Sequence, residues 1–329
     1  MKESAAINQD VNSHCDYRQL YLRFQDLFRP GRSCVVTADL DAILCSLLLR
    51  RALEWNLVGV YTPQSPRVST NVAHSSIREN KWAWALGQSA PVFIGVDVFR
   101  EGVDSLGGGV VLWAPEAPDP FAKRHVRAFN PNLLRGVTRR RIHERFPFGL
   151  SCFLMLCLAE WGMLDQFERQ EGLPALLLYV NRGYLKSVRD PSRALWWADW
   201  LLPNETLDSV FPLSPRFGGL HPKSLVERFA GFSLGLESVG ISRRNQRVIA
   251  EGPGQSVVLR DLDHWLRQAI GLGGCPDVAD RHWECLWEVE RRFTRATSDN
   301  FRKMLQAKPL SYAITASGQH GLRYDSLKP

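Results

Sequence analysis

Apolar residues first recur at helical spacing at Tyr17, Leu20, Tyr21, Phe24, Leu27 and Phe28, and Pro30-Gly31 closes the run, so an amphipathic helix is predicted there. The polar, non-periodic residues 1–14 before it read as a flexible arm. Short apolar runs then alternate with longer ones. Ser33 to Thr37 predicts a buried strand, Ala42 to Trp55 an apolar helix, and Leu57 to Tyr61 a second strand stopped by Thr62-Pro63. Residues 64–78 are polar and read as a surface loop, and Trp82 to Leu86 as a short helix. Pro91 to Asp97 is an apolar strand ending in a carboxylate, Val110 to Trp113 another strand, Phe148 to Trp161 a buried helix, and Ala175 to Val180 a strand. Nearly continuous apolar strands separated by helices imply an α/β domain, a parallel sheet with helices on both faces, over residues 15–194.

From about residue 195 the pattern changes. Helical spacing around Trp196, Trp197 and Trp200, over Ser224 to Leu236, Leu262 to Ile270 and Trp283 to Phe301, predicts a smaller, mainly helical C-terminal unit over 195–329. Leu310 to Tyr324 has β-prone residues around Gly318 and suggests a hairpin. No uninterrupted apolar run is long enough for a membrane span, and MKESAAINQDVNSH has neither the apolar core of a secretory signal nor the composition of a transit peptide. A cytoplasmic protein that does not engage a membrane is the expectation. Seven cysteines, an odd number placed mostly inside apolar stretches, suit reduced core thiols rather than a disulfide framework.

The chain carries a formal charge of +7, and the excess is local. Between residues 123 and 145, Lys123, Arg124, Arg127, Arg135, Arg139, Arg140, Arg141 and Arg145 are opposed by Glu144 alone. Such a field favours phosphate-bearing partners, nucleic acid or nucleotide, through counterion release and the forked donors of arginine. A solvated arginine-rich face, or a contact with an acidic protein partner, accounts for the same pattern.

Ligands of open α/β sheets sit beyond the carboxyl ends of the strands. Asp39 and Asp41 follow the first predicted strand and Asp97 closes the third. Residues two apart on an extended segment face the same way, so Asp39 and Asp41 can converge on one ion, and oxygen ligands of this kind suit Mn²⁺ or Mg²⁺. Asp41 also stands where a helix N-cap would, and the residues leave ligand and cap equally open.

The segment Cys34-Val35-Val36-Thr37-Ala38-Asp39-Leu40-Asp41-Ala42-Ile43-Leu44-Cys45-Ser46 resembles the first motif of the DHH phosphoesterase superfamily, a strand, an Asp-x-Asp-Gly turn and a helix carrying a small residue. Val92 to Asp97 resembles its second motif, and the glycine-rich turn with Val110 to Trp113 the approach to its third. The resemblance spans roughly residues 30–185. It implies a parallel α/β domain whose active members use paired Mn²⁺ or Mg²⁺ to hydrolyse phosphodiesters or pyrophosphates, with Asp39, Asp41 and Asp97 as metal ligands. This chain departs from the pattern: Ala42 replaces the usual glycine, Trp113-Ala114-Pro115-Glu116 stands where Asp-His-His should, and the fourth-motif aspartate aligns with Asn181.

Weaker signals are read first as structure. Gly107-Gly108-Gly109 lacks the continuation of a P-loop and reads as a turn. His282, Cys285 and Cys275 lack an evident fourth zinc ligand, and Cys45 and Ser46 fall within a helix. Trp196, Trp197 and Trp200 offer stacking surfaces for bases but are read as core. Pro147 can start the helix that follows, whose positive end would face an anion near the sheet edge. Two functional readings follow. One is a catalytically degenerate DHH-like protein, with no certain cofactor, that binds nucleic acid, nucleotide or a protein partner as scaffold or sensor. The other is an active Mn²⁺- or Mg²⁺-dependent phosphoesterase or nuclease whose missing ligands come from positions such as His74 or His125 or from another subunit.

Overall fold

Cys34, Val35 and Val36 are completely buried at the centre of β1 (Ser33–Thr37), the strand around which the sheet is organised. The computed structural model describes residues 14–61, 67–70, 91–95, 103–113, 127–164, 172–201, 222–249, 253–271, 284–307, 309, 311–315 and 321–327. The expected helix at 82–86, and Asp97, Lys123, Arg124, His74, His125, Cys275 and His282, lie outside these residues. β1 pairs in parallel with β2 (Asn56–Tyr61) on one side and β4 (Val92–Ile94) on the other. β5 (Ser105–Leu106) and β6 (Ala128–Phe129) continue in parallel beyond β4. The chain therefore moves outward in one direction from β1 to β2 and in the other from β1 through β4 to β6. With right-handed crossovers that reversal puts helices on opposite faces and opens a crevice beyond the carboxyl ends of β1 and β4.

The helix that follows β1, α2 (Leu40–Leu53), is apolar almost all round and buried from Ala42 to Leu49. After the short α3 (Pro131–Leu134) comes α4 (Leu150–Glu160), whose residues Leu150 to Leu158 are all buried; α2 packs on β1, β2 and β4 and against α4. Helices apolar on every side need such double cover. In front of the sheet, α1 (Tyr17–Phe24) is capped by Asp16 and buries Tyr17, Leu20 and Phe24. Phe24 and Phe28 meet Phe129 edge-on at centroid distances of 5.3 and 5.0 Å.

Beyond β2 the sheet turns antiparallel. β3 (Arg67–Thr70), β7 (Glu284–Arg295), β9 (Gly321–Leu327) and β8 (Ser311–Thr315) complete a nine-stranded sheet of order β6-β5-β4-β1-β2-β3-β7-β9-β8. The hairpin expected near the end of the chain is the β8–β9 pair. Helices supply much of the later chain: α7 (Pro191–Leu201), α8 (Pro222–Ser238), α9 (Pro253–Ile270) and α10 (Ser298–Gln306). One cluster of buried apolar side chains runs from Cys15 through α7 and α9 to Leu322. Among the described residues no helix is long and apolar enough to cross a membrane. Cys15, Cys34, Cys45, Cys152 and Cys157 are buried, and Cys15, Cys45, Cys152 and Cys157 are free thiols.

Four expected elements differ. Ala175 to Val180 is not a strand: Leu173–Tyr179 is helix α5, running through a 3₁₀ turn into α6 (Gly183–Arg189). A short, fully buried apolar run has no periodicity by which to tell the two apart. Glu284–Arg295 is strand rather than helix, because it bridges β3 and β9. Arg67–Thr70 falls within the expected loop and is a strand against β2 and β7. At Val110 to Trp113 the pairing among the described residues is an isolated bridge from Leu112 to Thr138, the strand before it being β5.

Candidate functional site

Asp39 leaves β1 in extended conformation and is the N-cap of α2, its Oδ1 accepting the amide of Ala42 at 3.0 Å. The cap is thus Asp39, two residues before Asp41, the N-cap candidate in the sequence. Asp41, in the first turn of the same helix, reaches across to another helix instead. Its Oδ2 accepts the amide of Leu150 at 2.8 Å, and its Oδ1 accepts the Ser151 amide at 2.9 Å and the Ser151 hydroxyl at 2.7 Å. The N-cap residue of α4, Gly149, has no side chain to do this. A Cβ there would come within 2.6 Å of Asp41 Oδ1. The anion expected at the N-terminus of this helix is thus a carboxylate of the chain itself.

A loop far along the sequence closes over this junction. Residues 241–248 turn back on themselves through the Ile241–Val248 bridge. The carbonyl of Gln246 accepts the Leu40 amide at 2.8 Å, and the Val248 amide donates to Ala38 at 3.0 Å. Gln246 is buried with a positive φ of 56°. Its Oε1 accepts the Asn181 amide at 2.6 Å and its Nε2 donates to the Tyr179 carbonyl at 3.0 Å. One side chain therefore ties the loop to the 3₁₀ turn, where Asn181 and Arg182 are themselves held at φ of 53° and 56°.

Between these pieces, beyond the ends of β1, β4 and β5, lies a polar cleft of about 290 Å³. Asp39 and Asp41 form part of its wall, with Gly95, Gly108 and Gly109 from the strand ends and Asn181 from the turn. Arg145, Lys186, Arg247 and Arg323 supply four cations. Gly95 stands at φ 79°, where a Cβ would lie 2.0 Å from Thr37 Oγ1, so strand β4 must end on glycine for the two strand ends to lie this close.

The charges are strained in opposite senses. Burial first, and then Asp41, push the Asp39 carboxyl up to about 6, against the pull of Thr37, Ala42 and Arg247. Burial and the nearby Arg145 bring the Lys186 ammonium down to about 8, although Asp41 acts the other way. Arg145 is itself lowered, by burial and by Arg193. None of Arg145, Lys186 and Arg247 forms a salt bridge with a described residue. The cleft therefore concentrates positive charge that its two carboxylates do not neutralise.

The basic window is dispersed by the fold. Arg127, with Arg32, is paired with the buried Asp104. Arg135 lies 3.2 Å above the Trp196 ring, with Trp197 and Trp200 close by, donates to the Trp196 carbonyl, and is brought down to about 9 by burial. Arg139 donates to the Ala296 carbonyl at 2.7 Å and stacks on Trp113, and Arg141 pairs with Glu144. Arg140 is exposed, and Arg145 alone of the described members lines the cleft. Trp197 and Trp200 are core, as read.

Asn181 reaches the cleft although the strand expected before it is a helix, and Gly108 and Gly109 line it from the turn. Lys186, Gln246, Arg247 and Arg323 belong to no motif, and only the folded chain brings them here. Among the described residues no three His, Cys, Asp or Glu side chains are grouped so as to hold a metal ion. Asp41 already spends three of about four acceptor sites on α4. Asp39 and Asp41 as held here do not fit a two-ion centre. No family model matches this chain, and no curated protein or solved structure matches it either.

Proposed function

We propose that the cleft is a phosphate-recognition site of a non-catalytic, DHH-like protein, acting as a binding or sensing module rather than a hydrolase. The observation that carries this reading is the set of cations Arg145, Lys186 and Arg247 facing a cavity at the strand-order reversal with no salt bridge to a described carboxylate. A tetrahedral oxyanion satisfies such donors, and arginine forks give it directional hydrogen bonds. The aspartates support the same reading. Asp41, which ties two helices together through three accepted hydrogen bonds, is a structural acceptor with little capacity left for an ion. Nucleic acid, nucleotide and a phosphorylated protein partner share this chemistry.

Calorimetric titration with inorganic pyrophosphate in the presence of chelator tests the reading. Binding is expected, weakened at least tenfold by Arg247→Ala and by Lys186→Ala. Absence of binding at low salt, or Mn²⁺-dependent cleavage of a generic phosphodiester that Asp39→Asn abolishes, would overturn it in favour of the metal-dependent phosphoesterase.

A further inference from the structure

A second cavity adjoins the cleft and differs from it in chemistry. It is an apolar groove of about 610 Å³ between the α5–α6 segment and α8, walled by Leu178, Tyr179, Tyr184 and Phe229. Phe229 is flanked by Tyr179 and Tyr184 at centroid distances of 5.7 and 5.2 Å, so three rings form one wall. Leu185 and Val226 line it while remaining 50% and 58% exposed, so apolar surface extends from the groove to its rim. The hydroxyl of Ser233, also on the wall, is buried without a hydrogen-bond partner, an unmet polar group in an otherwise apolar surface. Arg182, Arg243 and Arg244 add positive charge to its lining.

The groove and the cleft share Gln246 as a common wall. Its amide holds Tyr179 on the groove side and Asn181 on the cleft side, so the chain passes from one cavity to the other within three residues. We infer that the two cavities form one bipartite site for a nucleotide, with the phosphates among Arg145, Lys186 and Arg247 and the base against the rings of the groove. This rests on the phosphate-binding reading of the cleft and extends it to a ligand class. Aromatic faces stack on any base, and a base edge supplies the donor and acceptor that Ser233 lacks, which an alkyl chain does not. The size of the groove suits a small-molecule site.

Titration with inorganic pyrophosphate, with the diphosphates of adenosine, guanosine, cytidine and uridine, and with octyl phosphate separates the possibilities. At least one nucleoside diphosphate is expected to bind tenfold or more tightly than pyrophosphate, the scale of one stacked base. Phe229→Ala should remove that gain and leave pyrophosphate binding unchanged. Val226→Trp, which fills the groove from an exposed position and spares the core, should do the same. If pyrophosphate binds and no nucleoside diphosphate binds more tightly, or if octyl phosphate gains more than every nucleotide, the bipartite nucleotide site is refuted while the cleft reading stands. If neither pyrophosphate nor any nucleotide binds, the cleft reading falls and takes the inference with it.

Discussion

Asp41 and Ser151, 110 positions apart, are joined by two hydrogen bonds to a single carboxylate oxygen, one from the amide and one from the hydroxyl. A residue in the first turn of α2 thereby caps α4, and the two most deeply buried helices are fixed end to end.

Removing that carboxylate should destabilise the fold whatever the cleft binds. Asp41→Ala is expected to cost about 2–3 kcal/mol, the range for charge-assisted hydrogen bonds left unmade at a helix N-terminus. Asp41→Asn, which keeps one acceptor oxygen, should cost less. Gly149→Ala should also destabilise, because the added methyl meets Asp41 Oδ1 at 2.6 Å and displaces it. Chemical denaturation in chelator measures all three. Wild-type stability in Asp41→Ala would show that the cap contributes nothing.

Asp39 gives the opposite sign. Its carboxyl is raised from 3.8 to about 6, so the folded chain holds the proton more tightly than the unfolded one. This stability is fully present below about pH 4, is lost as the pH rises toward 6, and stays lost above. Asp39→Asn keeps the helix cap and removes the penalty. Partial solvent exposure discounts the full shift, leaving an expected gain of about 2 kcal/mol at pH 8 and none at pH 4. Unfolding curves of the two proteins at both pH values provide the comparison, and an equal gain at both would contradict it.

Anion affinity should fall with pH in two steps. Sulfate is the suitable probe, because its own charge is constant over the range. Ionisation of Asp39 near 6 brings a negative charge into the cleft, and loss of the Lys186 proton near 8 removes a donor. The upper step is expected to be about tenfold, as for one hydrogen bond from a charged group. Asp39→Asn should erase the lower step alone and Lys186→Met the upper step alone. A profile unchanged by either substitution would detach both residues from binding.

The arginines of the basic window should separate into two classes. Arg135→Ala removes a cation stacked among three tryptophans and is expected to cost about 2 kcal/mol or more in stability. Arg140→Ala should leave stability unchanged. Neither should alter pyrophosphate affinity, whereas Arg145→Ala should weaken it. Melting temperatures and titrations on the same preparations distinguish the classes.

Much of the parallel half was legible because its strands are short apolar runs punctuated by Gly, Pro and Asp, and α2 and α4 are long enough to exclude strand. The limit appears at residues 173–179, where a seven-residue buried helix and a buried strand leave the same trace. β3 was illegible for another reason. Arg67-Val68-Ser69-Thr70 is too short and too polar to stand out from the loop around it, and its pairing with β2 and with β7, formed by residues much later in the chain, makes it a strand. At the site, Asp39 and Asp41 were found because they follow a strand, but their partners were not, since capping across space leaves no local pattern. A cluster of arginines in sequence proved a poor guide to a cluster in space. Arg135 and Arg139 face tryptophans, while Lys186, Arg247 and Arg323 meet Arg145 only through tertiary structure.

The loop carrying Gln246 and Arg247 also sets an order of events during biosynthesis. All five parallel strands have been synthesised once Phe129 is made, and the crevice between β1 and β4 can begin to form as they emerge from the ribosome. Two of its four cations, Arg247 and Arg323, are translated much later. A nascent chain can therefore acquire its central sheet well before the cationic wall of the cleft is complete, so the proposed anion site is assembled later than the sheet that frames it.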